Sequence, residues 1–298
     1  ILPDLKQSFL THNQIILQAP PGAGKSTIIP LALLDEPWLE NKKIIILEPR
    51  RVAARSVALR MASLLGEDIG KCVGYHVKQD RAFSSETKIL VVTEGILTRK
   101  LQHDPELNEC ALLLFDEFHE RSLHSDLGLA LALESQRFLR EDLRIGVMSA
   151  TLDQSALMTL LPDAKLLVSQ GRSFEISHRY LKANEVVPTK ETLVPFILTK
   201  VKEIIKENSG DILIFLPGVK EIKACEKLLQ STFINSQKIV ITTLYGNLDK
   251  KEQERALLPS PTSKQKIVLA TNIAQTSLTI EGVSVVIDSG LERISRFH

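Results

Sequence analysis

Nine short runs rich in Ile, Val and Leu recur along the chain, and longer segments of helical spacing separate them. They are residues 13–19, 43–47, 88–92, 111–115, 144–148, 211–216, 238–242, 266–270 and 283–287. Most are apolar at consecutive rather than alternate positions, as in IIIL at Ile44–Leu47 and LLLF at Leu112–Phe115. A strand patterned this way is covered on both faces, so it belongs inside a sheet with helices above and below. The alternation predicts an α/β fold with mainly parallel sheets flanked by helices.

A length of 298 residues suits two domains, each able to bury its own core. The segment Gln170–Pro188 is polar, irregular in period and without a long apolar stripe, which sets a boundary near Leu181 and domains of 1–181 and 182–298. An apolar fraction of 44% excludes a disordered chain, and 14 Gly with 13 Pro exclude a collagen-like or low-complexity one. No apolar run approaches the ~18 residues of a membrane helix, and the opening ILPDLKQSF does not read as a signal peptide. A soluble, cytoplasmic protein with no membrane contact is therefore expected. Cys72, Cys110 and Cys225 are odd in number and widely spaced, which argues for a reducing compartment and against a disulfide framework or a zinc site. With 37 Lys plus Arg against 36 Asp plus Glu, the net charge of +1 gives no global attraction to a polyanion. Any nucleic-acid contact must come from local concentrations of charge.

The string QAPPGAGKST, Gln18–Thr27, follows the first strand and opens a helix, the context of a phosphate-binding loop. Within it Pro21, Gly22, Ala23, Gly24, Lys25, Ser26 and Thr27 form the candidate nucleotide cradle, with Ala19 standing where Gly is usual. Gly22 and Gly24 allow the backbone to curl so that amides point inward, and the helix that follows presents its positive end to phosphates. Lys25 would reach the β- and γ-phosphates, and Ser26 would ligate Mg²⁺. A buried strand ending in acids supplies the complement: in ALLLFDEFHE, Asp116 is placed to hold Mg²⁺ and Glu117 to orient or deprotonate an attacking water. ATP and Mg²⁺ are the expected cofactors, and nucleoside triphosphate hydrolysis the expected chemistry.

The strings around this site resemble a family. DEFH at Asp116–His119 is similar to the DEAH box of superfamily 2 helicases. LEPRRVAAR (Leu47–Arg55) resembles motif Ia, TEGIL (Thr93–Leu97) motif Ib, SAT (Ser149–Thr151) motif III, FLPG (Phe215–Gly218) motif IV and ATNIAQTSLTI (Ala270–Ile280) motif V. Within that superfamily the strings are most similar to the HrpB-type group of bacterial DEAH-box helicases, from about Leu17 to Phe297.

The resemblance implies two RecA-like P-loop domains, nucleotide in the cleft between them and single-stranded RNA across both, with a monomeric enzyme expected and DNA as a possible substrate. It implies RNA-backbone contacts from Arg50, Arg51, Thr93 and the hook-turn position Lys78 in the first domain, and from Gly246 and Thr271 in the second. Arg50, Arg51, Arg55 and Arg60 fall within eleven residues at a strand-to-helix junction, which gives motif Ia a local store of guanidinium donors. By the same resemblance His119, Ser149 and Thr151 link the nucleotide site to the facing domain. Ser277, Thr279 and Glu281 would lie near the catalytic water, the phosphates or the ribose, and Arg60 would stack on the base.

Departures carry expectations of their own. Gln275 replaces the usual Glu, and Leu257 stands where relatives place a Phe against the base, so discrimination among nucleotides should be poor. The Q-x-x-G-R-x-G-R string of motif VI, source of arginine fingers, does not occur, so the second domain is expected to be incomplete and the chain a fragment that binds ATP but hydrolyses it poorly. Two other readings stay open on sequence: an ATP-dependent DNA helicase, and a nucleotide-switched binding module without motor activity.

Overall fold

The computed structural model describes residues 1–20, 22–150, 154–171, 175–183, 185–260, 264–274 and 280–293, with side chains for all of these except 154–156. The chain divides into two compact units, Ile1–Phe174 and Glu175–His298.

In unit 1 the chain runs α1 (Leu2–Thr11), β1 (Gln14–Gln18), α2 (Lys25–Ala32), β2 (Lys43–Glu48), α3 (Arg51–Leu65), β3 (Val73–Val77), β4 (Asp80–Ala82), β5 (Ile89–Thr93), α4 (Glu94–His103), β6 (Cys110–Phe115), α5 (Leu123–Phe138), β7 (Arg144–Ser149), α6 (Gln154–Leu160) and β8 (Lys165–Val168). The sheet order is β4-β3-β5-β2-β6-β7-β1-β8, and every pair is parallel except β3 with β4. Period-2 geometry explains the continuous apolar runs. Ile44 and Ile46 face a core with Phe9 of α1 and Val57 and Met61 of α3, whereas Ile45 and Leu47 face a second core with Leu97 of α4 and Leu129 of α5. Both faces are dry, so truncating Ile45, fully buried, to Ala would open a cavity and cost about 2–5 kcal/mol.

Every strand read from the sequence is present to within two residues, and three more were not read. β3, VGYHV, carries a Gly and a His that break the apolar run. It holds its place because the chain returns over it: a Cβ on Gly74 would lie 2.6 Å from the Ala82 carbonyl oxygen, so only glycine admits the β3–β4 hairpin there. β4 has three residues, and β8 is a partly exposed edge strand, so neither carries an apolar signature.

Unit 2 contains α7 (Leu193–Glu207), β9 (Asp211–Phe215), α8 (Val219–Thr232), β10 (Ile239–Leu244), α9 (Lys250–Leu257), β11 (Gln265–Ala270) and β12 (Val283–Asp288). Its four described strands pair in parallel in the order β10-β11-β9-β12. One face packs Ile212, Ile214, Ile267 and Leu269 against α7 and α8, and the other packs Leu213, Val268 and Ala270 beside Ala256 of α9. Both units are thus α/β with helices on the sheet faces. No described helix is long and apolar enough to cross a membrane.

A parallel sheet brings the carboxyl ends of its strands to one edge, where ligands of open α/β sheets bind. In unit 1 that edge carries Ala19 after β1, Glu48 at the end of β2, Thr93 at the end of β5, Asp116 after β6 and Ser149 at the end of β7.

Candidate nucleotide and nucleic-acid site

The phosphate loop is built by two left-handed glycines. Gly22 has φ 75°, with open space where a Cβ would project, and Gly24 has φ 78° and caps the start of α2. Gly24 accepts from the amides of Thr27 and Ile28 at 3.2 and 2.8 Å, which starts the helix, and Ala23 N–H donates to Pro20. Pro21 lies outside the described residues. Lys25 is 4% exposed, and its Nζ donates to the carbonyl oxygens of Ala19 (2.7 Å) and Pro20 (3.1 Å), which fixes the ammonium at the mouth of the loop. Ser26 and Thr27 are half-buried on the first turn of α2. Ala19, at the position where Gly is usual, is buried and donates its amide to the Ser149 carbonyl at 3.0 Å, so a methyl group is accommodated there.

Facing this loop along the same edge, Asp116 is 2% exposed, its amide donates to Leu47, and its Oδ1 accepts from the Glu117 amide at 2.8 Å. Asp116 Oδ2 is buried without a hydrogen-bond partner. A buried orphan carboxylate oxygen beside a glycine-rich loop and a lysine fits a magnesium-bound nucleoside triphosphate, with Ser26 and Asp116 toward the metal and the Gly22–Thr27 backbone and Lys25 toward the phosphates. When bound, the metal supplies positive charge to the phosphate oxygens.

Burial, reinforced by the Asp116 charge, pushes the Glu117 carboxyl up to about 7. A carboxylate that ionises near neutral pH is matched to accepting a proton. Glu117 also adopts a left-handed backbone at φ 49°, an uncommon conformation for a residue with a Cβ. His119 Nε2 lies 3.4 Å from Glu117 Oε2, burial holds its imidazole below the ordinary histidine range, and its Nδ1 is buried without a partner.

One acid of this cluster was given no role on sequence. Glu48 ends β2 and is fully buried, both its oxygens lack hydrogen-bond partners, and burial followed by the Asp116 charge drives its carboxyl well above the ordinary range. The sequence signal was IIILE, an apolar strand closing on an acid, as LLLFD does at Asp116.

Of the proposed nucleic-acid residues, Arg51 begins α3 and is exposed, Arg50 is half-buried beside Glu120, and Thr93 is 8% exposed directly across from Glu48 in the β2–β5 register. Lys78 is exposed at the tip of the β3–β4 hairpin. Arg55 leaves the guanidinium store of motif Ia: it is 6% exposed, with Nη1 4.0 Å from Asp80 of the hairpin, so it braces the fold. Arg60 is exposed on α3, about 13 Å along the helix from Arg51 at 1.5 Å per residue.

In unit 2, Gly246 follows β10 and Thr271 follows β11; these strands are neighbours in register, so both residues come to one edge. Glu281 does not join them. A parallel crossover must return the chain to the opposite edge before the next strand, and Glu281 immediately precedes β12, near the start of β11 where its charge acts on Lys266. Leu257 packs partly buried beside the Ala256 core face. Thr151, Gln275, Ser277 and Thr279 lie outside the described residues.

Residues 5–159 match the DEAD/DEAH box helicase family, and residues 197–296 match the helicase conserved C-terminal domain. The chain belongs to the DEAD/DEAH box helicase family. It is 46% identical over 297 residues to the ATP-dependent RNA helicase HrpB of Escherichia coli (strain K12), an alignment covering 100% of this chain and 36% of that protein. It is 36% identical over 289 residues to the ATP-dependent RNA helicase HrpA of Borreliella burgdorferi, covering 96% of this chain and 34% of that one. The crystal structure of the Escherichia coli DEAH/RHA helicase HrpB superposes with a TM-score of 0.87 at 46% identity, covering 100% of this chain and 37% of that chain. A second structure, of the E. coli DExH-box NTPase HrpB, gives 0.76 at the same identity, covering 100% and 36%. The chain thus spans about a third of the length of these relatives. The two sheets are the RecA-like helicase folds that these matches share.

Proposed function

We propose that this chain is the motor core of an ATP-dependent RNA helicase, in which unit 1 binds ATP with magnesium and both units grip single-stranded RNA. Lys25 and the Gly22–Thr27 backbone bind the phosphates, Asp116 and Ser26 hold the metal, and Glu117 accepts the proton of the attacking water. His119, with Ser149 and Thr151 of the third motif, transmits the state of that site. Arg50, Arg51, Lys78, Thr93, Gly246 and Thr271 meet the RNA backbone, so binding is sequence-tolerant and strongly salt-dependent. The observation that carries the reading is the convergence on one sheet edge of a glycine-built loop with a buried Lys25, an orphaned Asp116 oxygen and a Glu117 that ionises near 7. Family membership and likeness to two proteins named as ATP-dependent RNA helicases support the choice of RNA.

The test is ATP binding and RNA-stimulated ATP hydrolysis by the 298-residue chain, with matched single-stranded DNA as competitor. Nucleotide binding that Lys25→Ala removes, RNA binding that DNA competes for weakly, and slow turnover are expected, because arginine fingers supply about 10³–10⁵ in rate. Failure to bind nucleotide would reject the reading, and fast RNA-stimulated turnover would reject the need for motif VI arginines.

A further inference from the structure

Two acids stand at the joints between the nucleotide cluster and the nucleic-acid loops of unit 1, and neither has a role in the site so far described. Glu94, next to Thr93, accepts from Ser122 Oγ at 2.6 Å through its Oε1. The same Ser122 oxygen accepts the Ser125 amide at 2.9 Å, so it caps α5 while it holds the start of α4. Glu120 Oε2 lies 3.3 Å from Arg50 Nη2, with both side chains mostly buried. Motifs Ia and Ib are therefore each tied, by a carboxylate, to the few residues that follow Glu117.

Those residues are held under backbone strain. Glu117 (φ 49°) and Arg121 (φ 46°) are both left-handed and neither is glycine, and they flank the single 3₁₀ turn Phe118–Glu120. Between them Phe118 is 3% exposed, its ring edge-on to Phe115 at 6.3 Å and 87°. The Arg121 guanidinium sits 5.5 Å from the Phe118 ring centroid and is bidentate to Asp126 at 3.1 and 3.0 Å. Strained backbone persists only where its surroundings over-determine it, and such positions cluster at switch regions. Here the surroundings are the catalytic acid at one end and two nucleic-acid loops at the other.

We propose that the strained segment Glu117–Ser122 couples nucleotide binding to RNA binding within unit 1, with Glu94 and Glu120 as the positioning residues that connect it to Thr93 and Arg50. The proposal rests on the helicase reading above. A change in what Glu117 contacts alters the balance of forces on a five-residue span whose far contacts set the placement of Arg50 and of the α4 start. Relaxing either carboxylate tie leaves both sites standing and removes their communication.

The experiment measures the affinity of the 298-residue chain for a dye-labelled oligouridylate by anisotropy, with and without a saturating non-hydrolysable ATP analogue and magnesium. The converse titration follows the analogue with and without the RNA, and the two ratios must agree because coupling is reciprocal. For the unsubstituted chain a ratio of about fivefold or more is expected. Glu94→Ala and Glu120→Ala should each bring it toward one while leaving nucleotide affinity without RNA within about twofold. Glu94→Gln, which keeps an acceptor for Ser122, should retain the ratio. Glu120→Gln, which keeps volume but loses the charge on Arg50, should lower it even if the alanine variants fail to fold. A ratio unchanged in Glu120→Gln, or one that stays constant while both affinities fall in parallel, would overturn the proposal. So would an unsubstituted chain that binds both ligands without coupling. An unsubstituted chain that binds neither ligand would instead reject the helicase reading on which the proposal depends.

Discussion

Glu117→Gln should make the fold more stable, and more so the higher the pH. Burial and the Asp116 charge raise the Glu117 carboxyl from its ordinary 4.5 to about 7, and its side chain is 10% exposed. Between those values the folded chain keeps a proton that the unfolded chain has released. Folding is therefore favoured at low pH, and the advantage drains away as pH rises toward 7. Above 7 the folded chain carries an ionised carboxylate in a poorly hydrated site, whereas glutamine carries no charge at any pH. A displacement of about 2.5 units is worth at most about 3.4 kcal/mol at 1.36 kcal/mol per unit, and partial solvent screening reduces this to about 1–2 kcal/mol. For a unit of this size that is roughly 3–6 °C in Tm. The assay is thermal unfolding of both proteins in chelator, without nucleotide, at about pH 5 and about pH 8.5. The variant should pull ahead at the higher pH. An equal Tm difference at both values, or one that favours glutamate as pH rises, would refute the claim that the proton acceptor is maintained at a cost to stability.

Gly74→Ala should lower stability by about 1–3 kcal/mol, because the new Cβ would meet the Ala82 oxygen at 2.6 Å and the Phe83 Cβ at 2.7 Å; urea unfolding reads the loss. Arg140→Ala should cost about 2–4 kcal/mol in the same assay, since the guanidinium is bidentate to Asp142 and also donates to the carbonyls of Glu106, Leu107 and Cys110. Arg140→Lys should recover only part of it, because an ammonium lacks the planar fork. Arg51→Ala combined with Lys78→Ala should weaken RNA binding and reduce the slope of log affinity against log salt by about two, one per lost phosphate contact, measured by anisotropy between low and moderate salt. An unchanged slope would remove these residues from the phosphate track.

What could be read from residues alone was what is local. A run such as IIIL declares its own burial, and a glycine pair followed by a lysine at the mouth of a helix declares a phosphate loop, without knowledge of the neighbouring strand. Glu48 was illegible because its burial and its proton affinity come from β6, more than sixty residues away, which sets Asp116 beside it. Arg55 looked like its neighbours in sequence, yet the three-residue strand β4 brings Asp80 to it and turns an apparent nucleic-acid contact into a brace. Glu281 shares a motif with Thr271, but the motif spans a crossover, and a crossover separates its ends by the length of a strand. Glu94 and Glu120 stood in quoted strings without a function, since their partners Ser122 and Arg50 are neighbours only once β5, β2 and β6 are side by side.

The strand order of unit 1 also works as a ruler. From β3, whose hairpin carries Lys78, to β1, which leads into the phosphate loop, there are five steps across the sheet, about 24 Å at roughly 4.8 Å per strand. At physiological ionic strength the screening length is about 8 Å, so a charge gained or lost beside Lys25 is reduced roughly twentyfold beyond its ordinary decline with distance by the time it reaches Lys78 through solvent. Direct electrostatics can therefore inform β2 and β6, one or two steps from the phosphates, but not the far hairpin. Whatever passes between the two ends of this edge must travel by touch, through backbone and side chains in contact.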